Sequence, residues 1–222
     1  MKVLIAGDSF SSNEKTPFRP WFDFLWRGKS IINVARPGAG NFFIAESVQN
    51  IIKSNNFKKI LIFWSSVYRF DWIVETTDKK NIKQFQKQVK ADPHLNRGFV
   101  GKKLFICSTG PKKENFLTRY ILEHSEKIKQ DSVEKIIETN QLCERKIGKE
   151  NYKFGFSLIP DQDVYEIFKN ESNFIWPSIQ EYGEQVNGIA KGFGAPIDGH
   201  LDQSGHEKFA EYMKNRLVDR SP

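Results

Sequence analysis

The stretch Val3-Leu4-Ile5-Ala6-Gly7-Asp8-Ser9 places a glycine-containing turn directly after a short apolar run. An unbroken apolar run that ends at glycine is typical of a strand buried on both faces of a parallel sheet. The loops that follow such strands gather at one edge of the sheet, where ligands bind. The sequence therefore predicts a first strand over residues 3–6 and places Ser9 at a functional edge.

Further apolar runs and helical patterns alternate through the first 65 residues. The runs Ile31–Ala35 and Lys59–Trp64 have the composition of strands, and the first is closed by Pro37-Gly38-Ala39-Gly40. Pro17–Trp26 is aromatic-rich at mixed helical spacing, and Phe42–Lys53 has the spacing of an amphipathic helix. This alternation predicts right-handed βαβ units and a parallel sheet with helices on both faces.

The middle of the chain has a different pattern. Residues 76–115 are polar and basic with one apolar island at Leu104–Cys107, which suggests a lid or an inserted helical excursion. Residues 116–148 have a helical pattern that we expect to divide near Gln130-Asp131-Ser132, where Asp131 or Ser132 would cap the second helix. We therefore expect an insertion or lid over about residues 76–130.

The last third returns to alternating elements. Tyr152–Ile159 predicts a fourth strand, residues 161–195 short helices and loops, and Glu207–Leu217 a final helix. Taken together, the pattern predicts a single domain over residues 1–222. Its fold class is α/β: a three-layer α/β/α, flavodoxin-like domain with a central parallel sheet and a helical or polar insertion in the middle.

Composition narrows the class of protein. With 39% hydrophobic and 14% aromatic residues, the 222-residue chain can build a core. The net charge of +7 comes from lysine pairs spread along the chain, which indicates a solvated surface rather than a nucleic-acid site. Two cysteines are too few for a disulfide scaffold, though one bridge is possible, and no apolar run is long enough to span a membrane. The N-terminal run is too short for a signal peptide, so we expect a cytoplasmic location.

Four loops carry the residue types of a hydrolytic site. They are Gly7-Asp8-Ser9-Phe10, residues 33–41, Ser65-Ser66-Val67-Tyr68-Arg69 and residues 198–206. Each has an ordinary structural explanation: a tight turn, a helix cap at Asn41, or a loop with a hydrogen-bonded histidine. Together, however, a hydroxyl, a glycine amide and an Asp–His pair stand at loops that a parallel sheet would bring to one face.

These blocks resemble those of the SGNH (GDSL-like) hydrolases. Gly7-Asp8-Ser9 matches the family's first block, Gly38 its second, and His200 through Gly205-His206 its last. The resemblance covers residues 1 to about 70 and about 150 to 216. It implies that Ser9 is the nucleophile, His200 the base and Asp198 the third member of a triad. It also implies an oxyanion hole built from the backbone amides of Ser9 and Gly38.

The chain departs from the family's pattern at two places. Asp198-Gly199-His200 is one residue shorter than the usual Asp-x-x-His, a spacing that a tight turn at Gly199 would accommodate. The third block is usually Gly-x-Asn-Asp, whereas this chain reads Trp64-Ser65-Ser66-Val67. The family's asparagine donor to the oxyanion is therefore missing, and Ser65, Ser66 or Asn41 are the candidates to replace it.

The neighbouring side chains are candidates for substrate binding. They are Asp8, Trp64, Ser65, Tyr68 and Arg69, with Trp72 and Arg36 nearby. Trp64, Tyr68 and Trp72 would line an acyl or sugar pocket, although core packing is at least an equal alternative for all three, and an arginine would contact an anionic group. Asp8 is expected to shape the nucleophile turn, and His206 to have a structural role rather than to act as the base.

The resemblance implies an ester of a small alcohol, a glycan or a lipid as substrate, with no cofactor. No Cys/His spacing suggests a metal site, and no glycine-rich fingerprint suggests a nucleotide. Three alternatives remain open. The missing asparagine is compatible with an inactive binding module for a glycan or protein, Gly7–Ser12 with a flavodoxin-like phosphate cradle, and the charge alone with nucleic acid.

Overall fold

The computed structural model describes residues 1–13, 18–75, 95–100, 103–108, 116–189 and 200–217. The strands are β1 (Lys2–Gly7), β2 (Ser30–Asn33), β3 (Lys59–Trp64), β4 (Asp71–Glu75), β5 (Leu95–Val100), β6 (Lys103–Ser108) and β7 (Tyr152–Phe156). The helices are α1 (Trp21–Leu25), α2 (Asn41–Ser54), α3 (Phe116–Glu123), α4 (Ser125–Ile147), α5 (Gln162–Phe168), α6 (Ile179–Gln185) and α7 (Gln203–Leu217).

The central sheet has four parallel strands in the order β2-β1-β3-β7. Strand β1 pairs with β2 on one side and with β3 on the other, so that Leu4 lies beside both Ile32 and Ile60. Because all four strands run in the same direction, the loops after them emerge at one edge. The predicted strands of the first 65 residues and the fourth strand near residue 152 are thus confirmed.

Side chains of each central strand alternate between two hydrophobic cores. On β3, Ile60 and Ile62 pack into one core, whereas Leu61 and Phe63 pack into the other. This two-sided burial explains the unbroken apolar run, since a strand buried on both faces has no polar side.

Helices cover both faces of the sheet. The first core receives side chains from α2, α4 and α5, including Val48, Ile136 and Val164. The second receives Trp21 from α1 and Phe209 from α7. The architecture is therefore the predicted three-layer α/β/α domain. Within the residues that the structure describes, no helix is both long enough and apolar enough to cross a membrane.

The middle of the chain contains a second sheet that sequence patterns did not predict. Strands β4, β6 and β5 form a three-stranded antiparallel sheet, in which Ile73 pairs with Phe105. The expected helical excursion is therefore wrong for residues 95–100 and 103–108. The apolar island at Leu104–Cys107 lies in β6, where Leu104, Phe105 and Ile106 are buried. Residues 76–94, 101–102 and 109–115 of the expected lid lie outside the described residues.

The helical segment after residue 116 divides at a different place from the predicted one. Helix α3 ends at Glu123 and α4 begins at Ser125, so the break lies at His124 rather than near Gln130-Asp131-Ser132. Ser132 does not cap a helix, because it is buried within α4 and its hydroxyl accepts a hydrogen bond from Asn41 at 2.8 Å. A contact distant in sequence thus determines the position of this serine.

Helix α4 contains Cys143, one of the two cysteines of the chain. Cys143 is a free thiol and is fully buried. Burial, together with the nearby negative charge of Glu144, raises the pKa of Cys143 to about 12. The thiol is therefore neutral at physiological pH and behaves as a small apolar side chain in the core.

The carboxylate of Asp71 caps helix α2 from a neighbouring strand. Gly40, the residue before the helix, has no side chain with which to cap, and its N–H donates to Asp71 Oδ1 at 3.1 Å. The Phe43 N–H donates to Asp71 Oδ2 at 2.9 Å. A Cβ at position 40 would lie 2.5 Å from that oxygen, so the close approach requires glycine.

Replacing Asp71 by alanine should lower the free energy of unfolding by about 1–3 kcal/mol, since two N–H groups at the start of α2 lose their acceptor. Asp131→Ala is the matched control, because that carboxylate is 41% exposed and pairs with Lys127 one turn earlier on the same helix. The control should change stability by less than about 0.5 kcal/mol. Urea unfolding measures both variants, and equal losses would contradict the capping role.

Candidate active site

The turn that carries Ser9 is held by the side chain and the carbonyl of Asp8. The Phe10 N–H donates to Asp8 Oδ1 at 3.1 Å, and the Ser11 N–H donates to the Asp8 carbonyl at 3.2 Å. Asp8 and Phe10 are buried, whereas Ser9 between them is half-buried. Asp8 therefore shapes the turn, as predicted. Ser9 reaches the surface between two buried residues.

The turn that carries Gly38 lies beside the turn that carries Ser9. The Ala39 N–H donates to the Arg36 carbonyl at 3.1 Å, which closes a four-residue turn with Pro37 and Gly38 at its centre. Gly38 has a φ of +73°, the conformation that a type II turn requires at this position and that glycine adopts readily. The Arg36 N–H donates to the Gly7 carbonyl at 3.1 Å, so the turn is attached to the end of β1.

A buried ion pair joins the turn that carries Ser9 to the loop after β3. Arg69 Nη1 lies 3.2 Å from Asp8 Oδ2, and the Asp8 side chain is fully buried while that of Arg69 is 18% exposed. The Ser65 hydroxyl donates to the same carboxylate oxygen at 3.0 Å. Arg69 Nη1 also donates to the Ala39 carbonyl at 3.3 Å. Three of the four predicted loops are therefore connected through these contacts.

His200 is packed against the turn that carries Ser9. Its ring stacks on that of Phe10, with 4.4 Å between the ring centroids and 11° between the planes. The following residues fix this segment, since Leu201 forms a bridge with Ile189 and the Asp202 N–H donates to the Gly188 carbonyl at 2.8 Å. The structure thus brings the histidine of the last block next to the residue that follows Ser9. Asp198 and Gly199 lie outside the described residues.

His206 is part of the interior at the start of α7. The Gly205 N–H donates to Asp202 Oδ1 at 2.7 Å, which caps the helix, and His206 is only 6% exposed. Burial, with a smaller contribution from nearby His200, lowers the pKa of His206 to about 4, against a small opposing effect of Asp202. A buried neutral imidazole fits the structural role predicted for it.

Two of the residues proposed to replace the missing asparagine are occupied elsewhere. Asn41 is fully buried; its side-chain nitrogen donates to the Ser65 carbonyl and the Ser132 hydroxyl, and its oxygen accepts the Ser65 N–H at 2.8 Å. Ser65 is also fully buried, with its hydroxyl on Asp8. Both side chains are buried and hydrogen-bonded within the protein, so the predicted oxyanion role of Asn41 and substrate role of Ser65 are corrected to structural ones.

Ser66 keeps the position that its predicted role needs. It is half-buried, and its hydroxyl oxygen accepts the Tyr68 N–H at 3.3 Å. A hydroxyl that accepts one hydrogen bond still has its own proton to donate. Ser66 therefore remains a candidate donor to the oxyanion.

The aromatic residues of the third loop have different environments. Trp64 is fully buried in the first core and its Nε1–H donates to Asn140 at 3.2 Å, so its predicted place in a substrate pocket is wrong. Tyr68 is half-buried, and its hydroxyl donates to Asp161 Oδ2 at 2.5 Å. The bond to Asp161 raises the pKa of Tyr68, and Lys129 lies over the ring. Tyr68 thus remains a candidate for contact with a substrate.

Sequence reasoning missed three polar residues that organise this edge. Asn33, at the end of β2, accepts the Ala35 N–H at 2.9 Å and donates to the Ser11 carbonyl at 3.0 Å. Its position two residues before the accepted N–H is a recognisable local pattern. Asp71 and Asn140 have no such signal, because their partners are distant in sequence.

Two solved structures are similar to this chain over nearly its whole length. One is a member of the lipolytic protein G-D-S-L family from Veillonella parvula DSM 2008, with 12% identity and a TM-score of 0.49, matched over 99% of this chain and 98% of that one. The other is described as a lipolytic protein of the G-D-S-L family from Desulfitobacterium hafniense DCB-2, with 12% identity and a TM-score of 0.41, matched over 97% and 99%.

No protein-family model matches the chain, and no curated protein matches it. Among the residues that the structure describes, no group of three or more His, Cys, Asp or Glu side chains could hold a metal ion.

The burial of neutral His206 should make stability depend on pH. Its pKa is about 4 in the folded protein, below the ordinary value of 6.5, so the unfolded chain binds the extra proton between these values. This contribution to stability is complete above about pH 6.5 and is lost as the pH falls to 4, by about 3 kcal/mol. The free energy of unfolding, measured with urea, should fall between pH 7 and pH 4 by about 3 kcal/mol less in His206→Leu than in wild type. An identical pH dependence in both proteins would contradict the assignment.

Proposed function

We propose that this protein is a serine ester hydrolase that cleaves acyl or acetyl esters of carbohydrates or lipids. Ser9 is the nucleophile, His200 the general base and Asp198 the residue that orients the imidazole. The observation that carries the proposal is the stacking of His200 on Phe10, which joins the histidine of the last block to the turn of Ser9.

The chemistry follows from these residue types. A serine hydroxyl is a weak nucleophile until a base accepts its proton. In the proposed reaction, His200 takes the Ser9 proton as the oxygen attacks the ester carbonyl, and it then protonates the departing alcohol. A water molecule activated by the same imidazole hydrolyses the acyl-enzyme and restores Ser9. The carboxylate of Asp198 would select the tautomer of His200 and stabilise the imidazolium.

The two turns described above supply the donors for the tetrahedral intermediate. The backbone N–H groups of Ser9 and Gly38 are the proposed oxyanion hole, with the Ser66 hydroxyl as a further donor. The Arg36 N–H bond to the Gly7 carbonyl supports this assignment, because it attaches the Gly38 turn to the strand that leads to Ser9. Tyr68, half-buried beside the site, is the proposed contact for the acyl or sugar group.

A phosphate-binding turn is less well supported. The N–H groups of Phe10 and Ser11, which a phosphate cradle would use, already donate to Asp8.

A binding module without turnover is the second candidate. The observation that favours it is the burial of Asn41 and Ser65, because neither side chain can then replace the asparagine that the third block lacks. Loss of one oxyanion donor reduces turnover by about 10²–10³-fold. Such a module would bind a glycan or protein partner at these loops without cleaving it.

The test uses a fluorophosphonate probe and a short-chain aryl ester. We expect stoichiometric labelling of wild type at Ser9, and Ser9→Ala should lose labelling and at least about 10³-fold in turnover. Ser11→Ala is the matched control: Ser11 lies in the same turn, and its buried hydroxyl oxygen has no hydrogen-bond partner among the described residues. The control should keep both labelling and turnover. Folded wild type without labelling would favour the binding module, and equal turnover in wild type and Ser9→Ala would remove Ser9 from the mechanism.

A further inference from the structure

We propose that Arg69 supplies the positive charge that stabilises the oxyanion, in place of the missing third-block asparagine. The inference rests on the proposed ester hydrolysis and assigns one more residue to that site. It starts from the position of a single nitrogen atom. Arg69 Nη1 lies 3.2 Å from Asp8 Oδ2 and 3.3 Å from the Ala39 carbonyl oxygen.

These two anchors are the immediate neighbours of the two backbone donors. Asp8 precedes Ser9, and Ala39 follows Gly38. One guanidinium nitrogen therefore reaches both turns, and the group lies where the nucleophile turn and the glycine turn approach each other. A charge attached to both turns is placed to assist the N–H groups of Ser9 and Gly38 in the proposed oxyanion hole.

The guanidinium keeps donors beyond those it uses for anchoring. It has five N–H groups, and the two contacts made among the described residues both go through Nη1. Of the other replacement candidates, Asn41 and Ser65 are fully buried and hydrogen-bonded elsewhere, and Ser66 supplies a neutral hydroxyl rather than a charge. Arg69 is the one charged side chain of the loop over residues 65–70, and it is attached to the site.

The orientation of the ion pair favours a negative charge on its solvent side. The Asp8 side chain is fully buried, whereas 18% of the Arg69 side chain is exposed. The pair therefore has its negative end in the interior and its positive end toward solvent. A buried carboxylate beside Ser9 would by itself oppose the developing oxyanion, and the paired guanidinium of Arg69 offsets that charge.

A purely structural role for Arg69 would be to neutralise Asp8. The two roles are separated by first replacing Asp8 with asparagine, because an amide still accepts the Phe10 N–H but leaves no buried charge to compensate. In the Asp8→Asn variant, a neutralising Arg69 becomes dispensable, whereas an arginine that stabilises the oxyanion does not.

The experiment compares kcat for a short-chain aryl ester in Asp8→Asn, in Asp8→Asn with Arg69→Gln, and in Asp8→Asn with Arg69→Lys. The glutamine double variant should have a kcat about 10²-fold below Asp8→Asn with little change in KM. The lysine double variant should recover part of that loss, because it keeps the charge but not the forked geometry. Arg145→Gln, which changes an exposed arginine of α4, is the control and should leave kcat unchanged.

Urea unfolding of each variant separates a loss of function from a loss of fold. Equal kcat values for Asp8→Asn and its Arg69→Gln double variant would overturn the proposal and leave Arg69 a structural role. In that case, labelling of wild type at Ser9 would still support the ester hydrolase. A folded wild type that is neither labelled nor active would overturn both proposals together.

Discussion

The carboxylate of Asp8 connects the loops at the functional edge of the sheet. One oxygen accepts the Phe10 N–H, and the other accepts the Ser65 hydroxyl and Arg69 Nη1. Arg69 extends the network to the Ala39 carbonyl. Because the carboxylate is fully buried, an unpaired Asp8 would cost several kcal/mol, on the order of 3–5. The geometry of the turns at Ser9 and Gly38 therefore depends on a charge that the fold must keep paired.

Much of the fold was predictable because its strands are buried on both faces. An apolar run such as Lys59–Trp64 indicates an interior strand. A glycine, Gly7, marks the position where the chain leaves the sheet after β1. The site motifs lie at the ends of these same strands. The positions of Ser9, Gly38 and His200 in the fold could thus be inferred from local pattern and family resemblance together.

What failed depended on contacts that local pattern does not record. Trp64 lies at the end of a strand, where the sequence does not reveal whether the ring points into the core or the cleft; its bond to Asn140 directs it inward. Asn41 was a plausible donor until its partners, Ser65 and Ser132, became known. The antiparallel sheet of the middle segment was missed because its strands stand in a polar, basic context.

The stacking of Phe10 on His200 joins two segments that lie far apart in the sequence, and this has a consequence for folding. Such a long-range contact is present only in the folded chain. In the proposed mechanism, the Ser9 hydroxyl is therefore without its base whenever the segment with His200 is undocked, and it is then no more reactive than the hydroxyl of an ordinary alcohol.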